Sequence, residues 1–111
     1  MANKVISLKK SSSFKTAANL GKRIKLSAWL TVQVLKSDDA KNYAGITASA
    51  KVGNAVTRNK LKRWVRACVQ TEPWPESLQS KTVVFVFRAQ ADGQFYSKIK
   101  YSEFLQLFKK L

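Results

Sequence analysis

One amphipathic helix, expected from about Ala55 to Gln70, limits how this chain can fold. Gly53 and Asn54 stand just before it, and Pro73 and Pro75 follow it, where a proline cannot continue a helix. At about 100° per residue, the large apolar side chains fall on one side of the helix: Leu61, Trp64, Val65, Cys68 and Val69. Such a helix has to bury that side, so we expect it to pack on a sheet.

The other side of this helix is basic and has no acidic neighbour. It carries Arg58, Asn59, Lys60, Lys62, Arg63 and Arg66, and no Asp or Glu occurs between Asp39 and Glu72. Like charges three and four residues apart destabilise a helix, and solvated helix faces usually mix signs. A generic solubilising face therefore explains the pattern less well than a surface for phosphates. On such a surface, arginine can grip a phosphate with two hydrogen bonds, and Asn59 could contact a base edge or a ribose hydroxyl.

The composition agrees with a polyanionic partner. The 111 residues suit a single domain over 1–111, and 45% hydrophobic residues allow a real core. The 21 Lys and Arg against 6 Asp and Glu give a net charge of +15. A membrane surface is the other candidate polyanion. No run approaches the roughly 18 apolar residues of a spanning helix, and no signal peptide opens the chain, so nucleic acid is favoured.

Few residue types are available for protein-based catalysis. The chain has no His and one Cys, which excludes a disulfide framework, a zinc cluster and histidine acid–base chemistry within one chain. We expect Cys68 to be a small buried hydrophobe. The acids are Asp38, Asp39, Glu72, Glu76, Asp92 and Glu103, placed mostly in expected turns and loops. Asp38 and Asp39 are interpreted as a turn pair rather than as metal ligands.

The remaining elements follow from patterning. Ser11, Ser12 and Ser13 are expected to cap a first helix that ends at Gly21. Apolar alternation predicts a strand, and an apolar β-branched run predicts a buried strand. The strands are expected at Leu26–Leu35, Tyr43–Ser49 and Thr82–Phe87, with a loop at Ala89–Gly93 and a final helix capped by Ser102. The acid-free first 37 residues would also suit a transit peptide.

Physical reasoning alone does not choose between RNA and DNA, because a recognition helix of a helix-turn-helix protein would look similar. The flanking strands argue against that all-α fold. The segment from Lys51 to Arg66, however, resembles the signature of the bacterial ribonuclease P protein, K-x-G-N-A-V-x-R-N-R-x-K-R-x-x-R. The ten matching positions are Lys51, Gly53, Asn54, Ala55, Val56, Arg58, Asn59, Lys62, Arg63 and Arg66.

The resemblance extends from about residue 8 to the end of the chain. Leu8, Phe14 and Gly21, the strand from Tyr43 to Ser49 and the strand from Val83 to Arg88 agree in order and spacing. The basic N-terminus would then be part of the domain rather than a transit peptide. The resemblance implies a three-layer α/β (α+β) sandwich in α-β-β-β-α-β-α order, with a central mixed sheet and a left-handed βαβ crossover through the basic helix.

The resemblance also implies two RNA-binding regions. The basic helix and its loop would dock on the catalytic RNA of ribonuclease P through Lys51, Asn54, Arg58, Asn59, Lys60, Lys62, Arg63 and Arg66. A cleft between the first helix and the sheet would hold the single-stranded 5′ leader of precursor tRNA, with Phe14, Lys15 and Val32 as cleft residues. Phe14 is the leading candidate for stacking on a base, unless it only anchors the helix. Trp29, close to Val32 in sequence, is assigned to the core.

The activity implied is hydrolytic removal of the leader to leave the mature tRNA 5′ end. The RNA subunit would supply the active site and hold the required Mg²⁺, while the protein would bind no cofactor. The expected partners are the catalytic RNA and precursor tRNA, with no membrane and no DNA, in the cytoplasm. A structural or ribosome-associated RNA-binding protein is the alternative, and an autonomous nuclease is the least favoured.

The chain departs from the family pattern at four places. Lys60 replaces the third arginine of the R-N-R core, and Ala50 replaces one of two lysines before the glycine. Ala18 and Val32 stand where a second bulky residue and an aromatic residue are frequent. The leader cleft is therefore expected to be less aromatic than usual.

Overall fold

The structure is a computed structural model that describes residues 5–111. The strands are β1 Val5–Ser7, β2 Lys22–Lys25, β3 Leu30–Lys36, β4 Asn42–Ala48 and β5 Lys81–Phe87. The helices are α1 Ser11–Leu20, α2 Ala55–Thr71, α3 Phe95–Lys98 and α4 Tyr101–Phe108, and a single 3-10 turn covers Glu76–Leu78. The expected α-β-β-β-α-β-α order is confirmed, with a short strand added in front and the short α3 added before the last helix.

The five strands form one mixed sheet in the order β1-β4-β5-β3-β2. Strand β4 is parallel to both β1 and β5, whereas β3 is antiparallel to β5 and to β2. Helix α2 connects β4 to β5, so these parallel neighbours and the helix form a βαβ unit. The left hand of this crossover remains a prediction from the family resemblance.

One face of the sheet carries the main core. Phe85 of β5 lies 6.0 Å from Phe104 and 6.3 Å from Phe108 of α4, measured between ring centroids. The apolar stripe of α2 joins the same cluster, where Leu61 and Cys68 are completely buried. Because α2 and α4 present their apolar sides to this face, their polar sides remain in solvent.

Helix α1 covers the opposite face of the sheet. The ring of Phe14 lies so close to Gly45 of β4 that an added Cβ atom there would be 2.7 Å from Phe14 Cε1. Ala17, one turn further, is fully buried, and so is Val84 of β5. The sheet therefore lies between two helical layers, which confirms the three-layer arrangement.

The strand expected from Leu26 to Leu35 is confirmed only from Leu30 onward, and its first residues form the turn of a hairpin. Strand β2 ends at Lys25 and β3 begins at Leu30, with a turn between them. The Ser27 hydroxyl accepts hydrogen bonds from the N–H groups of Trp29 at 3.2 Å and Leu30 at 3.1 Å. Serine stabilises turns in this way. The alternation of apolar residues in this segment indicated a continuous strand instead, so the turn was not predicted.

Two expected helix caps are wrong. Ser11, Ser12 and Ser13 lie inside α1, whose N-cap residue is Lys10. The N-cap of α4 is Lys100, and Ser102 lies inside the helix. There the Glu103 carboxylate accepts a hydrogen bond from the Lys100 N–H at 2.7 Å, so the first turn of α4 is stabilised from its third position rather than from Ser102.

Candidate RNA interface

The start of α2 is held by its own N-cap. The Asn54 side-chain oxygen accepts a hydrogen bond from the Thr57 N–H at 3.0 Å, and a cap of this kind stabilises a helix by about 1 kcal/mol. Asn54 was expected to contact RNA, and in the described structure its oxygen is already used by the helix. Lys51 is exposed in the preceding loop, next to the buried Val52 that anchors that loop.

The basic side of α2 is exposed and has no acidic partner. Asn59, Lys62, Arg63 and Arg66 are all exposed, while Leu61 and Val65 on the other side are buried. Within residues 5–111 the ion pairs are Lys98–Asp92 and Lys109–Glu72, neither of which involves α2. The cationic groups of α2 are therefore not neutralised by the protein itself.

Arg58 is the least exposed arginine of this helix. Its Nε atom is buried and has no hydrogen-bond partner among the described residues. A buried donor without an acceptor costs roughly 1–3 kcal/mol. Arg58 therefore lies at the edge of the basic side of α2, and its Nε–H donor is unpaired within the described residues.

Lys60, which is expected among the RNA contacts, also makes two contacts within the fold. Its Nζ donates a hydrogen bond to the Tyr96 carbonyl oxygen of α3 at 2.9 Å. The same ammonium group lies 5.0 Å from the centroid of the Trp64 ring, in cation–π range. This contact could not be predicted from local patterning, because Tyr96 is 36 residues away and the two residues meet only in the folded chain.

The second expected RNA-binding region lies between α1 and the face of the sheet that α1 covers. Phe14 is half-buried against Gly45, and Lys15 beside it is exposed. The close contact at Gly45 shows that Phe14 anchors α1 on the sheet, and its partial exposure leaves part of the ring accessible. Both interpretations of Phe14 are thus compatible with its position.

Val32 does not line this cleft. Its side chain is completely buried in the main core, on the α2 and α4 side of the sheet. Gln33, the next residue, pairs with Val84 of β5, and Val84 pairs in turn with Gly45 of β4. Because Phe14 of α1 lies against Gly45, Gln33 is on the face of the sheet that α1 covers. Arg23 of β2 pairs with Gln33 from the other side. The cleft role of Val32 was expected from the family resemblance alone, and it is wrong because Val32 belongs to the apolar face of β3 that packs into the core.

Trp29 is partly buried and packs against the core, in agreement with its assignment. It precedes β3 and lies against three aromatic rings, those of Phe87, Phe95 and Tyr96. The Trp29 carbonyl oxygen accepts hydrogen bonds from the Arg88 N–H at 2.9 Å and the Tyr96 hydroxyl at 3.2 Å. These contacts secure the hairpin turn against the C-terminal helices.

The acidic groups are dispersed and partly occupied. The Asp39 carboxylate accepts hydrogen bonds from the Tyr43 hydroxyl and from the Lys41 N–H, which together lower the pKa of Asp39. No three potential metal ligands come together within residues 5–111.

Cys68 is a free, buried thiol, and burial raises its pKa to about 12. Within the described residues, no helix is long and apolar enough to cross a bilayer.

The fold and this surface place the chain in a class of small α+β proteins that display an unpaired basic helix from one face of a mixed sheet. The family is identified by its sequence: the family model described as Ribonuclease P matches residues 2–111. The chain therefore belongs to the ribonuclease P protein family.

Individual relatives agree with this assignment. The ribonuclease P protein component of Natranaerobius thermophilus is 30% identical over 108 residues, covering 97% of this chain and 91% of that one. The Staphylococcus aureus RNase P protein superposes with a TM-score of 0.76 at 21% identity, covering 96% of this chain and 92% of that chain. The Thermotoga maritima RNase P protein gives 0.72 at 24% identity, covering 95% and 96%. These two structures show the shared fold.

Proposed function

We propose that this protein is the non-catalytic subunit of ribonuclease P and docks on the catalytic RNA through the basic side of α2. The observation that carries the proposal is that Lys62, Arg63 and Arg66 are exposed on one helix and have no acidic partner within residues 5–111. Each cation that replaces a condensed counterion on RNA adds affinity and steepens the salt dependence. Bidentate arginine contacts to phosphates would fix the orientation of the helix.

Arg58 and Asn59 complete this docking surface in the proposal. Arg58 is half-buried beside the exposed cations of the helix, and its guanidinium group would donate hydrogen bonds to phosphate oxygens of the RNA. Asn59 is exposed beside it and offers both a donor and an acceptor to a base edge or ribose hydroxyl. Lys60 is left out, because its ammonium group serves the contact with α3.

The second part of the proposal concerns the 5′ leader of precursor tRNA. Phe14 and Lys15 of α1 would bind single-stranded RNA by stacking and by phosphate contact. On the sheet, Gln33 takes the place expected for Val32, since it faces α1 and Val32 faces the core. Arg23, its neighbour on β2, is exposed and adds a cation to this face.

The reaction assigned to the complex is hydrolysis of one phosphodiester bond, which releases the leader and leaves the mature 5′ end. The proposal locates the required Mg²⁺ in the RNA subunit. The acids of the protein agree with this, because a two-metal site needs several convergent carboxylates. Asp39, for example, is turned toward Tyr43 and the turn backbone. The protein would contribute affinity and phosphate screening, and it would act in the cytoplasm.

Reconstitution at low magnesium tests the proposal. The purified protein is added to a bacterial ribonuclease P RNA under conditions in which that RNA alone cleaves precursor tRNA poorly, and we expect cleavage to be restored. A triple variant, Lys62→Ala, Arg63→Ala and Arg66→Ala, should lose the effect. The matched control is Lys98→Ala, Lys109→Ala and Lys110→Ala, which removes the same charge from a different surface and should keep it.

Two outcomes would contradict the proposal. If the protein binds RNA and does not restore cleavage, it is a structural RNA-binding protein. If it cleaves precursor tRNA without any RNA subunit, it is a nuclease in its own right.

A further inference from the structure

Two tryptophans of the chain use the indole N–H group in different ways. Trp74 is only 4% exposed, and its Nε1 donates a hydrogen bond to the Leu78 carbonyl oxygen at 2.8 Å. Trp64 of α2 is half-buried, and its Nε1 makes no hydrogen bond within residues 5–111. In that part of the chain the buried side-chain donor without a partner is Arg58 Nε, so the Trp64 N–H group reaches the surface as a free donor.

Three neighbours hold the Trp64 ring in place. Tyr101 and Phe104 of α4 each lie 6.2 Å from it, measured between ring centroids. The Lys60 ammonium group lies 5.0 Å from the centroid of the Trp64 ring and donates to the Tyr96 carbonyl oxygen at 2.9 Å. Because these contacts fix the ring, the direction of its N–H group is set before any partner binds.

Trp64 borders the proposed docking surface. At about 100° per residue, Arg63 and Trp64 are neighbours around the helix, and Ala67 falls between them one turn further on. Arg63 and Ala67 are both exposed, and the alanine side chain is too short to cover the indole ring. An RNA strand bound at Arg63 therefore lies within one helical turn of the Trp64 N–H group.

The acids carried by α4 and by the end of α2 are engaged elsewhere. Glu103 accepts a hydrogen bond from the Lys100 N–H at 2.7 Å, and Glu72 lies 3.8 Å from Lys109 Nζ. The fold thus supplies no acceptor for the Trp64 N–H group within residues 5–111. RNA offers phosphate and sugar oxygens along its whole backbone.

We propose that Trp64 donates its indole N–H to a phosphate or ribose oxygen of the catalytic RNA, next to the phosphate bound by Arg63. Lys60 is then a positioning residue that acts through the Trp64 ring. Because the indole is neutral, this contact adds affinity without releasing a counterion, and it gives docking a component that salt does not weaken. The inference rests on the proposed function, since it assumes that the basic side of α2 docks on this RNA.

Titration of labelled catalytic RNA with the full chain at several salt concentrations tests the inference. Trp64→Phe keeps an aromatic ring against α4 and removes the N–H donor. Affinity should fall by about 2- to 10-fold at every salt concentration, as expected for one lost hydrogen bond, and the slope of log affinity against log salt should stay at the wild-type value. The matched control is Trp74→Phe, which removes an N–H group that serves the fold. It should lower the melting temperature and leave RNA affinity unchanged.

A second variant separates the donor from the size of the ring. Benzothienylalanine in place of Trp64 has a sulfur atom where the indole has its N–H, and its shape is nearly the same. It should lose RNA affinity as Trp64→Phe does, with a melting temperature close to that of wild type.

Lys60→Met tests the positioning role. It should weaken RNA binding with an unchanged salt slope. In the Trp64→Phe background it should cost no further affinity, because residues that act as a unit do not give additive losses.

The outcomes separate the two proposals. If wild type does not bind the catalytic RNA, the proposed function itself is wrong. If wild type binds and both variants at position 64 keep full affinity, Trp64 makes no RNA contact. If their salt slope falls together with affinity, the ring only supports the neighbouring cations, and the inference is equally wrong. Additive losses for Lys60→Met and Trp64→Phe would remove the positioning role.

Discussion

The ring of Phe14 lies directly against Gly45, so that α1 approaches the sheet at the one β4 position without a side chain. An added Cβ atom would lie 2.7 Å from Phe14 Cε1, 2.9 Å from Phe14 Cζ and 3.1 Å from Leu8 Cδ2. The glycine inside this strand is therefore explained by close packing of the helix, as is frequent for glycine within strands. The contact links the fold to the proposed leader site, because it sets the position of the Phe14 ring.

Gly45→Ala should destabilise the protein and displace α1. Two ring carbons are within 3 Å of the new methyl group, and overpacking of this kind costs about 1–3 kcal/mol. Chemical denaturation measures the loss of unfolding free energy. The control is Gly93→Ala, where an added Cβ meets nothing within 4 Å and the change should stay below about 0.5 kcal/mol. Equal stability of both variants would show that α1 moves away from the new methyl group without a loss of unfolding free energy.

Phe14→Ala should weaken binding of precursor tRNA by the holoenzyme and leave mature tRNA unaffected. Loss of one stacked base costs about 1–3 kcal/mol. Because Phe14 also anchors α1, Phe14→Leu serves as a second variant that keeps apolar packing and removes the aromatic face. Equal losses for both substrates, or full affinity in Phe14→Leu, would reduce Phe14 to a structural role.

Arg58→Ala and Arg63→Ala should each weaken assembly with the catalytic RNA and reduce the slope of log affinity against log salt by about one. Titrations of labelled RNA at several salt concentrations measure both quantities. Lys98→Ala is the matched control, since Lys98 is exposed and paired with Asp92 at 3.2 Å. Unchanged affinity at every salt concentration in both arginine variants would remove α2 from the docking surface.

Lys60→Met should lower stability and leave the salt dependence of RNA binding unchanged. It removes the hydrogen bond to the Tyr96 carbonyl and the contact with Trp64, together worth about 1–2 kcal/mol. Lys62→Met, two residues away on the exposed side, should do the reverse. Denaturation and RNA titration of the two variants give the comparison, and a reduced salt slope in Lys60→Met would restore Lys60 to the RNA contacts.

Stability should fall as the pH rises above about 9. Burial raises the pKa of the Cys68 thiol from 9.0 to about 12, and that of the Tyr96 hydroxyl from 10.0 to about 12. Between these values the unfolded chain loses protons that the folded protein keeps, so the free energy of unfolding decreases with pH. Denaturation midpoints from pH 8 to 11 measure the slope. Cys68→Ala should flatten the part that begins near pH 9, and an unaltered slope would show that the thiol does not contribute.

Helix α2 shows how much of the structure can be predicted from local sequence patterns. It was expected from Ala55 to Gln70 and runs from Ala55 to Thr71, because its N-cap, its apolar stripe and the prolines that follow are signals within one segment. The basic side of α2, which has no acidic neighbour in sequence, could be predicted for the same reason. The lack of ionic partners for that side had to be established by the fold, since an acid distant in sequence could have been placed against it.

The class of fold, the basic helix and the family could all be predicted before folding was considered, because they depend on residue types at fixed spacing. Three features required the folded chain: β1 pairs with β4, α1 packs on the sheet face that carries Gln33, and Lys60 bonds to the Tyr96 carbonyl. Each of these is a contact between segments far apart in the chain. A shift of one residue in a strand reverses the face of every side chain, and only the packed sheet sets that register.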